Sequence, residues 1–111
     1  MARLPNYLRS NRRHMALSQG EVGFLLGKHG GAKVCRYERF TCQPELETVL
    51  AFEAIFQKPA SEIFAGLYQQ VQRDVMARAK VLAHKIECGK PNRKTTVRRQ
   101  AISSFTSKSP N

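Results

Sequence analysis

The chain has 111 residues, room for one small domain and an appendage. Its 41% hydrophobic content can fill a modest core, while 19 Lys+Arg against 8 Asp+Glu leave a net charge of +11. That excess points to a polyanionic partner, a nucleic acid or an anionic membrane surface. No apolar run approaches the ~18 residues of a membrane span, and the N-terminus lacks the apolar segment of a secretory signal. Three cysteines without a C-x-x-C pair argue against a disulfide framework and for a reducing cytoplasm. A zinc site from Cys35, Cys42 and His29 would lack paired ligand spacing, so neither metal nor cofactor is expected. The charge is unevenly spread: residues 1–44 carry +6, residues 45–87 carry −1, and residues 88–111 carry +6.

Strand signals are nearly absent and a 3.6-residue period recurs, so the fold class is all-α. A first helix is expected from about Asn6 to Met15, with Tyr7, Leu8 and Met15 on or near one face. Ser18-Gln19-Gly20-Glu21 is a capping box, in which the serine oxygen and the glutamate each satisfy an unpaired N–H at a helix start. The helix it opens carries Val22, Leu25 and Leu26 on one side, and Gly27 suits the left-handed residue that ends it.

After a glycine-rich turn, Lys28 to Gly31, a short helix is expected from Ala32 to Arg39. Val34, Tyr37 and Glu38 fall on its inner face; Ala32, Arg36 and Arg39 fall opposite, with Lys33 and Cys35 flanking. Two short helices joined by a tight turn, the second with a basic outer face, form a helix-turn-helix arrangement. Such a second helix fits the major groove, where arginine pairs bidentately with guanine.

A fourth helix is expected from Pro44, with Glu45 and Glu47 complementing its dipole and Leu46, Val49, Leu50, Phe52, Ile55 and Phe56 placing it centrally. Pro59-Ala60-Ser61-Glu62 opens a fifth helix through Ile63, Phe64 and Leu67. Beyond it, Phe64, Tyr68, Val71, Val75, Ala79, Leu82 and Ile86 recur at helical spacing, and no glycine or proline interrupts residues 67–88. This extension offers a stripe that pairs with a twin helix or lies on the core. Residues 89–111 hold many like charges and little to bury, which predicts a disordered basic tail.

The ordered motifs Leu17-Ser18-Gln19, Val22, Leu25-Leu26-Gly27, Val34-Cys35-Arg36-Tyr37-Glu38-Arg39, Pro44-Glu45-Leu46-Glu47-Thr48 and Glu62-Ile63-Phe64 resemble the Cro/repressor (XRE) helix-turn-helix family over about residues 8–64. The resemblance implies a five-helix, lambda-repressor-like DNA-binding domain over 6–66, usually dimeric, with the extension at 67–88 and the tail at 89–111. It implies that Gln19 contacts DNA at the site edge, Arg36 a base and Arg39 a phosphate. It also implies a semi-buried ion pair, Arg12 with Glu38, joining the first and third helices. Two features depart from the pattern. The turn before Val34 is one residue longer, and Gly23 stands where the family prefers alanine, at a propensity cost of about 1 kcal/mol. With Gly31 and Ala32 unable to reach a base, specificity falls on Lys28, His29, Lys33 and Arg36, or on DNA shape.

The expected function is sequence-specific binding of double-stranded DNA by a dimeric transcriptional regulator, a repressor, in the cytoplasm at the nucleoid. The alternative is an antitoxin-like or adaptor protein whose residues 61–88 bind a protein partner, with DNA binding as autoregulation. Non-specific nucleic-acid packaging is a third reading. No enzyme is expected: Asp74 is the sole aspartate, and no paired-carboxylate, Cys–His or phosphate-loop arrangement occurs. A membrane-surface helix is disfavoured by the near-neutral charge of residues 61–87.

Overall fold

The structure is a computed structural model that describes residues 4–107. Among these residues it is entirely helical, in the order α1 (Leu8–His14), α2 (Gln19–Leu25), α3 (Ala32–Glu38), α4 (Leu46–Phe56), α5 (Ala60–Ile63), α6 (Ala65–Cys88) and α7 (Arg93–Thr106). The chain divides into two compact units, Met1–Tyr68 and Gln69–Asn111. α6 begins in the first and continues into the second.

The first unit is built on eight buried side chains: Leu8, Val22, Val34, Tyr37, Phe52, Phe56, Ile63 and Phe64. Phe52 is the hub. Its ring meets Tyr37 edge-on at 6.0 Å, stacks with Phe56 at 5.9 Å and tilts against Phe64 at 6.2 Å. These are the separations at which aromatic pairs add to simple burial. Expected inner residues that instead face solvent are Met15, Leu25, Leu46 and Leu50, so α1, α2 and α4 each turn a narrower apolar stripe inward than their sequences suggest.

Helix ends in this unit are closed by repeated devices. α2 has the reciprocal Ser18–Glu21 capping box expected from the sequence. α1, α2 and α3 all end in Schellman motifs, with left-handed residues Ala16 (φ 57°), Gly27 (φ 77°) and Phe40 (φ 65°). In each, the next N–H reaches back into the last turn: Leu17 to the Arg12 carbonyl, Lys28 to Gly23 and Thr41 to Arg36.

Two boundaries differ from expectation. α4 starts at Leu46, not Pro44, because Glu45 is extended (ψ 163°) and is the capping residue. The fifth helix and its extension are not continuous, since Phe64 (φ −108°, ψ 45°) separates α5 from α6. At the break the first N–H groups of α6 are taken by another segment, Gly66 donating to the Leu4 carbonyl at 2.9 Å and Leu67 to the Pro5 carbonyl at 3.4 Å, while the Ile63 carbonyl accepts from the Tyr7 N–H at 2.7 Å.

The second unit corrects the expectation of a disordered tail over 89–111. Residues 93–106 are helical, and residues 108–111 lie outside the described residues. Asn92 and Thr95 form a capping box at the start of α7, and Ile102 is buried with Ala79 and Ile86 against Ala83. Arg99 pairs with Glu87 at 2.7 Å. Like charge does not keep this segment unfolded, because the neutralising acid and the apolar partner surface both come from α6. The apolar stripe of α6 is correspondingly divided. Ala79 and Ile86 are buried within the unit, whereas Val71, Val75 and Leu82 are exposed.

Candidate nucleic-acid interface

α3 is a helix of seven residues with two chemically distinct sides. Val34, Tyr37 and Glu38 are buried, while Ala32, Lys33, Arg36 and Arg39 are exposed and Cys35 is half-buried. This is the division its periodicity predicts. The exposed side therefore carries cations on a backbone whose other side is locked in the core.

The lock includes an ion pair. Arg12 of α1 meets Glu38 of α3 twice, Nε donating to Oε2 at 2.6 Å and Nη2 to Oε1 at 3.1 Å. A third Arg12 contact donates Nη1 to the Leu17 carbonyl at 3.0 Å. The side chains are only 12% and 4% exposed, so the charges are largely desolvated and held by geometry. The hydrogen bond to Glu38 raises the Arg12 pKa from its ordinary value, and burial opposes it, leaving Arg12 charged throughout the accessible pH range.

Gln19 is drawn into the same network. Its Nε2 donates to Glu38 Oε1 at 3.2 Å, so this side chain braces the ion pair in addition to standing at the α2 N-terminus. Five of the six expected DNA-contacting residues thus fall into three groups. Lys33 and Arg36 share the open side of α3, Lys28 and His29 belong to the turn between α2 and α3, and Gln19 is turned to the carboxylate.

Arg39 belongs to a different neighbourhood. It caps the C-terminal end of α3 and lines an open cavity of about 690 Å3 together with Arg9 and Arg13 of α1. The sequence alone does not mark Arg9 and Arg13 as site residues. The signal available was their four-residue spacing on one helix face, but only the packing of α1 beside α3 reveals their common cavity with Arg39.

The turn between α2 and α3 depends on glycines. A Cβ on Gly23 would collide with the Gly30 carbonyl, and one on Gly31 would stand 2.8 Å from the backbone of Gln19 and Gly20. Residues 30 and 31 therefore lie directly on the α2 backbone. Gly23, Gly30 and Gly31 thus form one close backbone contact between α2 and the turn.

Asn6 was also missed. Buried at the start of α1, it donates through Nδ2 to the Tyr37 carbonyl at 2.9 Å and accepts from the Leu8 N–H at 3.1 Å. It ties the N-terminal segment to the end of α3. Among the described residues no three His, Cys, Asp or Glu side chains cluster as metal ligands, and no helix is long and apolar enough to cross a membrane. No family model, curated protein or solved structure matches the chain.

Proposed function

We propose that the first unit is a helix-turn-helix module of the Cro/repressor type that binds double-stranded DNA sequence-specifically as a transcriptional regulator. The observation that carries this reading is α3. Its buried side is fixed by Val34, Tyr37 and the Arg12–Glu38 pair, and its free side presents Lys33 and Arg36. A helix so fixed can hold an arginine at the precision that bidentate guanine readout needs. Lys28 and His29 flank it from the turn, and Arg39 with Arg9 and Arg13 supplies charge for backbone phosphates.

In this reading the protein acts as a dimer, placing two α3 helices about 34 Å apart on a roughly palindromic site. It represses by occupying that site at the nucleoid. The test is Arg36→Ala in quantitative duplex binding. It should relax preference at one base position per half-site, with a discrimination loss of about 1–3 kcal/mol. Uniform weakening on all sequences would make Arg36 a phosphate contact and remove it from the readout.

One observation favours a second reading. Val71, Val75 and Leu82 are exposed on α6, as an adaptor or antitoxin-like chain with a protein partner would require. Alanine at these three positions would then abolish partner capture and leave DNA binding intact.

A further inference from the structure

α7 combines a buried side with an unusually one-signed exposed side. Thr95 and Ile102 are buried, and Thr106 is half-buried, within about 40° of one another on the helix. Arg93, Lys94 and Arg98 are exposed: Arg93 lies opposite that side, Lys94 about 100° from Thr95, and Arg98 at its edge, about 60° from Thr95. Residues 93–106 contain four basic side chains and no acidic one. Arg99 is neutralised by Glu87, but Arg93, Lys94 and Arg98 have no ion-pair partner among the described residues.

Their position opposes folding. Arg93 and Lys94 occupy the first turn, where the helix dipole favours anions, and that turn holds no acid. The helix is nonetheless capped and packed, so its local stability comes from the Asn92–Thr95 box and Ile102. Arg93 and Lys94 are thus unfavourable at the helix N-terminus, and all three cations are exposed and unpaired among the described residues, as groups held for an external anion would be.

We propose that α7 is a second DNA-binding element, in which Arg93, Lys94 and Arg98 neutralise backbone phosphates of the duplex whose bases α3 reads; this rests on the function proposed above. Duplex DNA is the occupant that the charges fit. A membrane-surface helix needs a broad free apolar face; α7 exposes only Val97 and Phe105 as large apolar side chains, and its Ile102 is buried against α6. Arg93 and Arg98 are separated by about 7.5 Å along the helix, so they can meet separate phosphates. The contact carries no base information and contributes affinity alone.

The experiment measures binding of the full chain to its selected duplex across a salt series, for the natural sequence and for Arg93→Gln/Lys94→Gln/Arg98→Gln. Each lost phosphate contact should reduce the slope of log K against log salt by about 0.9, or roughly 2–3 for the triple variant, with the preferred sequence unchanged. A charge-retaining control, Arg93→Lys/Lys94→Arg/Arg98→Lys, should keep the original slope, and circular dichroism should show α7 intact in both. An unchanged slope in the triple variant, with normal duplex binding by the natural chain, overturns the role of α7 alone. Failure of the natural chain to bind any duplex overturns the function itself. Loss of binding to anionic phosphatidylserine vesicles, with an unchanged DNA slope, would instead assign the three cations to a membrane.

Discussion

Gly23 of α2 and Gly30 of the following turn pack backbone to backbone, leaving no room for a Cβ on Gly23. This contact reverses the sign of an ordinary substitution. In an exposed helix, Gly→Ala gains about 1 kcal/mol from propensity. Here Gly23→Ala must displace the turn, and a loss of about 1–3 kcal/mol is expected from overpacking. Chemical denaturation decides between the two signs. DNA affinity should fall with stability, because the displaced turn carries Lys28 and His29.

The Arg12–Glu38 pair gives a second prediction. Arg12→Met leaves the Glu38 carboxylate buried with only Gln19 to meet it and should cost about 3–5 kcal/mol. The double variant Arg12→Met/Glu38→Leu removes both charges and should recover most of that loss. Urea unfolding of the single and double variants measures this; additive losses would show that the pair is not energetically coupled.

Ala16 sets a third. Its φ of 57° costs an alanine about 1–2 kcal/mol relative to a favourable conformation, and the residue is exposed. After allowing for the entropy of glycine, Ala16→Gly should stabilise the chain by about 0.5–1 kcal/mol, visible as a higher thermal midpoint.

The capping box at α2 predicts a pH dependence. The Ser18 N–H, with its hydroxyl, holds the Glu21 pKa below the ordinary carboxylate value. A group with a depressed folded pKa contributes stability that is present above the unfolded value, about 4.3, and lost as pH falls through the folded value. Glu21→Gln keeps an acceptor for the Ser18 N–H but cannot titrate. The natural chain should therefore lose stability relative to this variant between about pH 5 and pH 2, in thermal scans at matched ionic strength.

These residues also show what the sequence made legible. The three helix endings are one device, yet only Gly27 announced it; Ala16 and Phe40 adopt the same left-handed, hydrogen-bonded ending without a glycine to mark it. The capping box and the inner face of α3 could be read directly, since both depend on local spacing. The Arg9–Arg13–Arg39 cavity and the Asn6–Tyr37 bond could not, because each joins residues about thirty positions apart. α7 was obscured differently. Its charges argue for disorder when counted alone, and the opposing terms, Glu87 and the Ala79–Ile86 surface, lie in another helix.

Sequence-specific recognition of duplex DNA through α3 is the property on which the proposed function depends. It is tested most directly by selecting bound fragments from a random duplex pool with the full chain at physiological salt, about 0.15 M. One roughly palindromic site should be enriched, with half-sites about one helical turn apart. A bound pool that stays random in sequence would contradict it.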